Sequence, residues 1–197
     1  MIDELLQSLI PLSSPPSGPG WNHASMVELL GDVPLRPASV LIGLREGVQP
    51  RIILTVRTSH LTAHAGQVAF PGGSRDAADG DAVVTALRES EEEIGLDRTL
   101  ASPQGYLDCF ETISGFCITP VVACIDASAR LRPSPDEVDE VFEVPLSFFL
   151  EPANLRRYVM EYRGRQREMV EFVHGGHRIW GATAAILLNM LERMKRA

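Results

Sequence analysis

The chain has 197 residues, 45% hydrophobic and 22% charged, with 26 acidic against 18 basic side chains and a formal net charge of −8. That length and apolar content suit one large core with additions. The acidic balance argues against broad electrostatic binding to nucleic acid or to anionic membranes. An anionic small substrate is compatible with it if metal ions or local arginines offset the repulsion.

Residues 2–10 read as a short amphipathic helix with Ile2, Leu5, Leu6 and Leu9 on one stripe, stopped by Pro11. The opening segment carries acids and no basic n-region, so it is a poor signal peptide. Residues 11–20, PLSSPPSGPG, cannot hold regular structure. Residues 1–37 are therefore expected to be an arm, helix plus Pro-rich run, added to a main domain over 38–197. The core starts near Ala38, where residues 39–44 and 51–57 are β-rich runs expected to pair as a hairpin. Residues 58–66 form a polar loop, 67–70 a brief strand, and Pro71-Gly72-Gly73 is expected to break it.

Residues 82–94 are the central helix, with Val83, Leu87, Ser90 and Ile94 on one face and Gly95 ending it. Strands are expected over 105–110 and 116–125, the second interior. The acidic run 133–140 reads as a loop, 141–150 as a strand-to-helix passage, and 158–162, 168–173 and 177–180 as further strands. A closing helix spans 182–195, too short in its apolar part to cross a bilayer. Cys109, Cys117 and Cys124 are odd in number and form no Cys-x-x-Cys, so they suggest neither a disulfide framework nor a zinc site. Three buried thiols in a reducing cytosol is the expectation, and a soluble, cytoplasmic protein with it. The order of strands and helices has no regular βαβ rhythm, which points to an α+β fold: a mixed sheet flanked by helices in an α/β/α sandwich.

One stretch breaks a local rule. Glu89, Glu91, Glu92 and Glu93 crowd the C-terminal end of the central helix, where the helix dipole is negative and like charges at i,i+4 repel. Glu89, Glu92 and Glu93 fall together on one face, and Glu91 points elsewhere. A solvated glutamate face is one reading. The other is a site for a hard divalent cation, magnesium or manganese, which takes carboxylate oxygens and keeps waters for substrate phosphates. The Gly72-Gly73 turn lets the backbone approach closely enough for a carbonyl to join them.

The spacing Gly73-x5-Asp79-x8-Arg88-Glu89-Ser90-x-Glu92-Glu93-x-Gly95-Leu96 resembles the Nudix box, Gly-x5-Glu-x7-Arg-Glu-U-x-Glu-Glu-x-Gly-U with U aliphatic. Asp79 stands where glutamate is usual, one residue is inserted before Arg88, and Ser90 takes an aliphatic slot. Just upstream, residues 53–73, ILTVRTSHLTAHAGQVAFPGG, resemble a second motif found in the coenzyme A pyrophosphatase branch of that family, matching at Arg57, Leu61, His64, Gly66, Gln67, Phe70, Pro71, Gly72 and Gly73. Thr62 stands where a basic residue is often found. Residues 112–116, 137–142 and 179–181 resemble the same branch, so the likeness runs from about 38 to 190.

This resemblance implies a Nudix fold and metal-dependent hydrolysis of a nucleoside diphosphate derivative. Glu89, Glu92 and Glu93 with Arg88 would be the catalytic set. The same three glutamates and the Gly72 carbonyl would ligate Mg2+ or Mn2+. Arg88 would brace helix and loop through a carboxylate such as Asp79. Arg57, His64 and Gln67 would face substrate, with phosphate contact and loop fixing both open for Arg57 and His64. Glu89 could also orient or deprotonate the attacking water, with Glu137 and Glu140 as loop candidates for the general base, or simply a solvated acidic loop. Trp180 and Phe116 are expected in the core rather than as adenine platforms. The implied substrate is coenzyme A or a derivative, giving 3′,5′-ADP and 4′-phosphopantetheine. The alternatives are ADP-ribose, NADH or a nucleoside triphosphate, and, from another class, a non-catalytic nucleotide-binding protein. A homodimer is compatible with all of these.

Overall fold

The computed structural model describes residues 2–31, 33–59, 65–162 and 164–196. In chain order the elements are α1 (Ile2–Gln7), α2 (His23–Leu30), β1 (Arg36–Arg45), β2 (Arg51–Arg57), β3 (Val68–Ala69), β4 (Gly72–Ser74), α3 (Ala82–Ile94), β5 (Ala101–Tyr106), β6 (Phe110–Glu111), β7 (Phe116–Ile125), β8 (Val138–Pro145), α4 (Leu146–Leu150), β9 (Arg156–Tyr162), β10 (Arg165–His174), β11 (His177–Trp180) and α5 (Gly181–Met194).

Among the described residues, β1 to β8 form one mixed sheet and β9 to β11 a second, antiparallel one. The axis of the first is the parallel pair of β1 and β7, in register from Arg36↔Phe116 to Arg45↔Ile125. Both strands read as nearly continuous apolar runs because both faces of the sheet are covered. On one face Leu41, Ile53, Ala86, Ile94, Val121 and Ile125 pack together under α3. On the other Ile42, Leu44, Leu54, Phe149, Phe172 and Leu187 pack under α5 and the small sheet. The α+β architecture expected from the sequence is thus present, with a second sheet that it did not foretell.

Several local expectations are corrected. The brief strand does end, at Ala69, but Gly72 and Gly73 are not merely its break: Gly72–Ser74 is β4, paired antiparallel with β1 through Val40↔Gly72 and Ala38↔Ser74. Gly72 sits at φ +151, where a Cβ would fall on the Ser39 carbonyl oxygen and 2.6 Å from Val40 Cα. Glycine therefore strengthens this strand, because nothing larger lets β4 lie so close to β1. The strand expected over 105–110 stops at Tyr106 and resumes as β6. The acidic loop ends early, since β8 starts at Val138, which is buried. Residues 23–30, given no element from sequence, form α2; none of its described side chains from 23 to 29 is buried, so no apolar stripe marks it. All three cysteines are free, but only Cys109 is buried; Cys117 and Cys124 are half-buried.

The N-terminal arm is woven into the main body. Leu5 and Leu9 belong to the core under α5. Ile10 bridges Tyr106, each N–H donating to the other's carbonyl at 2.9 Å. Arg193 on α5 donates to the Ser8 carbonyl and to both Asp108 carboxylate oxygens. Leu5 is wholly buried, so Leu5→Ala should destabilise the fold by about 2–5 kcal/mol. Urea denaturation checks this, and a loss below about 1 kcal/mol would show that α1 is not part of the cooperative core.

Candidate active site

The site forms where β4 meets the C-terminal half of α3. Asp81 opens the helix, its carboxylate accepting from the Val84 N–H, and Gly95 caps the other end. The last carbonyls of α3 are matched by main chain: the Arg132 and Ser134 N–H groups donate to the Ile94 and Glu93 carbonyls. The acidic end thus needs no cation for its carbonyls, and the 132–134 segment lies across it. Ser90, wholly buried at the aliphatic slot of the box, donates its hydroxyl to the Ala86 carbonyl at 2.7 Å.

The buried face of α3 differs from the expected one. It comprises Thr85, Ala86, Ser90, Glu93 and Ile94. Glu93 turns inward because β4 offers it a donor: the Gly72 N–H reaches Glu93 Oε2 at 2.9 Å. Arg57 Nη1, from the end of β2, lies 3.4 Å from Glu93 Oε1. Glu89 lies flat on β4, where a Cβ on Gly73 would come within 2.7 Å of its whole carboxylate. A larger residue at 73 would have to displace this carboxylate. Glu92 remains half exposed, its side chain 54% accessible.

Arg88 is the hub. Its Nε and Nη2 donate to Asp79 Oδ1 at 3.1 Å and Oδ2 at 2.9 Å, and Nη2 also reaches the Ser74 carbonyl at 3.1 Å. Nη1 touches Glu89 at 2.9 Å and Glu92 at 3.1 Å. Asp79 is nearly buried and also accepts from the Asp76 N–H and the Thr85 hydroxyl. The Arg88 guanidinium holds the Asp79 carboxyl well below the usual carboxylate range, with the Asp76 N–H adding to it. A turn closes from the Asp79 N–H to the Asp76 carbonyl, and Arg75 donates to the Asp79 and Gly80 carbonyls, which fixes the aspartate opposite Arg88.

Burial pushes the Glu93 carboxyl up to about 7, against the Gly72 N–H and the Arg57 charge, while the Glu137 and Glu89 charges push the same way as burial. Burial also raises Glu89, opposed by Arg88 and reinforced by the charges of Glu92 and Glu137. Glu137 is thus within electrostatic reach of buried Glu93 and half-buried Glu89, held there as its carbonyl accepts from the Thr58 N–H. Glu140 is directed elsewhere, to His177 Nε2 at 3.0 Å, with that imidazole stacked on Phe142. Gln67 is placed by the Arg57 N–H on its carbonyl. His64 lies outside the described residues. Trp180 and Phe116 are half-buried, each beneath a guanidinium: Arg178 at 5.1 Å and Arg36 at 4.2 Å.

The donor set fits a hard divalent cation in kind: three carboxylates, two of them held at raised proton affinity by burial and mutual repulsion. Among the described residues no three acidic, histidine or cysteine groups already converge as a ligand cluster. Arg88 bridges Glu89 and Glu92, and Glu93 is turned to the Gly72 N–H. Sequence reasoning did not find the Arg75 brace, the Ser74 carbonyl or Thr85, because single hydrogen bonds to a loop leave no periodic signal.

The NUDIX domain family matches residues 34–163. A protein of Photorhabdus laumondii named "Uncharacterized Nudix hydrolase NudL" is 35% identical over 160 residues, covering 81% of this chain and 86% of its own. Its namesake from Escherichia coli strain K12 is 38% identical over 155 residues, covering 79% and 81%. In fold, the MutT protein from Methanosarcina mazei Go1 is similar with a TM-score of 0.51 at 19% identity, over 84% of this chain and 96% of that one.

The folded-state value of Glu93, about 7, lies above its ordinary 4.5. The protonated fold is therefore favoured. The contribution is whole below pH 4.5 and is lost as pH rises through 7, on the order of 3 kcal/mol in all. In chelator-treated protein, Glu93→Gln should raise Tm at pH 8 and leave it nearly unchanged at pH 5. Equal effects at both pH values in thermal unfolding would refute a buried, charge-averse Glu93.

Proposed function

The chain belongs to the Nudix hydrolase family, and from that premise we propose that it hydrolyses the diphosphate of coenzyme A or its derivatives, giving 3′,5′-ADP and 4′-phosphopantetheine. The observation that carries this reading is the junction of two motifs on one carboxylate. Arg57 from the upstream motif and Gly72, the residue just before the box, both engage Glu93. The upstream motif carries the substrate information, and its first arginine is in contact with the catalytic helix.

Glu89, Glu92 and Glu93, with the Gly72 carbonyl, would hold Mg2+ or Mn2+. When bound, such a cation neutralises diphosphate oxygens and lowers the pKa of an attacking water. The chain's own groups supply the rest. Arg88 keeps Glu89 and Glu92 in register with β4 through Asp79 and Ser74. Arg57, whose planar donors suit phosphate oxygens, stands at the edge of the acidic cluster. Glu137 is the better-placed of the two candidate bases for taking the proton of the water, since its charge bears on Glu89 and Glu93 while Glu140 is engaged with His177. The second reading, a pyrophosphatase of ADP-ribose, NADH or a nucleoside triphosphate, draws on the box alone and needs no upstream motif.

Incubation with coenzyme A and Mg2+ or Mn2+ should give 3′,5′-ADP and 4′-phosphopantetheine by chromatography. Turnover of ADP-ribose with none of coenzyme A would transfer the assignment to the second reading. Glu137→Gln should lower kcat by about 10²–10⁴-fold, and Glu140→Gln should leave it within a few-fold. The reverse order in steady-state kinetics would make Glu140 the base.

A further inference from the structure

A second arginine cluster lies on the small sheet, far in sequence from the box. Register places its members on one face: Arg165 opposite Tyr162, Arg167 opposite Met160, and Tyr158 opposite Met169. Arg178 shares this face, opposite Val173 on β11. Its guanidinium lies 5.1 Å from the Trp180 ring and 5.5 Å from the Tyr158 ring, and its Nε donates to Glu171 at 2.6 Å. Glu171 is the one acid that the described strand residues of this face contribute, and Arg178 engages it.

The charge facing Arg165 and Arg167 comes from another element. Glu28 of α2 reaches both: Arg165 Nη1 donates to Oε1, and Arg167 Nη1 lies 3.5 Å from Oε2. This occupant matches the site poorly. A carboxylate has two oxygens, and both are used. Among the described residues, Arg167 Nε and Nη2 are buried with no hydrogen-bond partner, and the buried Tyr158 hydroxyl lacks a hydrogen bond of ordinary geometry. Buried guanidinium donors without acceptors are strongly unfavourable, so a site built this way is built for a larger anion. The helix that brings Glu28 is itself lightly held. None of its described side chains is buried, and its entry is tied mainly by the Gly20 N–H, Asn22 and His23 on Glu111.

A phosphate monoester has the missing properties. It offers three acceptor oxygens, close to two negative charges, and a match to the guanidinium fork. The chain that leaves the small sheet reaches the strand leading into the box: Thr183 of α5, three residues after β11, donates its hydroxyl to the Val68 carbonyl of β3, four residues before Gly72. We propose that Arg165 and Arg167 form a subsite for a phosphate monoester of the nucleotide substrate, distinct from its diphosphate, and that Glu28 is a stand-in anion which the substrate displaces. This rests on the coenzyme A reading, because that substrate carries such a group on its ribose.

The sign of the Glu28 effect separates this subsite from a structural ion pair. Calorimetry with 3′,5′-ADP, 5′-AMP and inorganic phosphate on the full chain reads the subsite without turnover. Arg167→Met should weaken 3′,5′-ADP about tenfold or more, the loss of one charge-assisted contact. Glu28→Gln should tighten it several-fold by removing the competing carboxylate. In kinetics, the preference for coenzyme A over dephospho-coenzyme A, as a ratio of kcat/KM, should fall in Arg167→Met and rise in Glu28→Gln. Should Arg167→Met fail to fold, Arg165→Gln with Glu28→Gln decides the same question. Weaker 3′,5′-ADP binding in Glu28→Gln, an unchanged ratio in both variants, or inorganic phosphate binding as tightly as 3′,5′-ADP would overturn the proposal. If neither thioester-free substrate is turned over, the coenzyme A reading falls, while the contrast between 3′,5′-ADP and 5′-AMP still decides the subsite.

Discussion

Two residues without a Cβ make the rest of the site possible. Gly72 lets β4 press against β1, and Gly73 lets a carboxylate lie flat on β4. Together they bring a strand and the C-terminal half of a helix close enough for Glu93 to accept a backbone N–H. A side chain at Gly72 would push β4 off β1, and one at Gly73 would displace the Glu89 carboxylate from β4. The acidic concentration that is unfavourable on an isolated helix becomes an organised surface because a strand lies beneath it.

Charge at this junction is divided between two arginines with different duties. Arg88 is occupied on all its nitrogens by Asp79, Ser74, Glu89 and Glu92, and acts as a brace. Arg57 meets only the inner edge of the cluster, at the longer distance of 3.4 Å. Two glutamates keep raised proton affinities even so, which is the electrostatic condition that a divalent cation relieves. The acidic composition of the chain as a whole is therefore no obstacle to an anionic substrate: the relevant field is set locally.

The periphery carries the features that vary most from the box. The arm contributes Leu5 and Leu9 to the core and then returns as α2, which meets the β9–β10 hairpin through Glu28. A helix held by ion pairs rather than by apolar burial is low in local stability. It is suited to contacts that exchange.

The sequence by itself determined the central helix, whose bounds of 82 and 94 follow from apolar spacing and from Gly95, and the interior strand at 116–125, a run apolar but for Thr119 and Pro120. It also determined the family, because the glutamate spacing and the upstream motif are chemical requirements written contiguously. What it left open was decided by contacts between segments distant in the chain. Periodicity put Glu93 on one acid stripe with Glu89 and Glu92, open to solvent or to a cation, and the pairing of β4 with β1 turned it inward to Gly72. Glycines that read as a break became a strand, since their advantage lies in neighbours that local reasoning does not see. Glu137 and Glu140 are alike in sequence and were separated by their surroundings: the Glu137 charge bears on Glu89 and Glu93, while Glu140 engages His177. The Arg165, Arg167 and Glu28 cluster joins positions more than 130 residues apart, and no local pattern encodes such a meeting. Local propensity and motif spacing act within a dozen residues, whereas burial and charge pairing are properties of the folded whole.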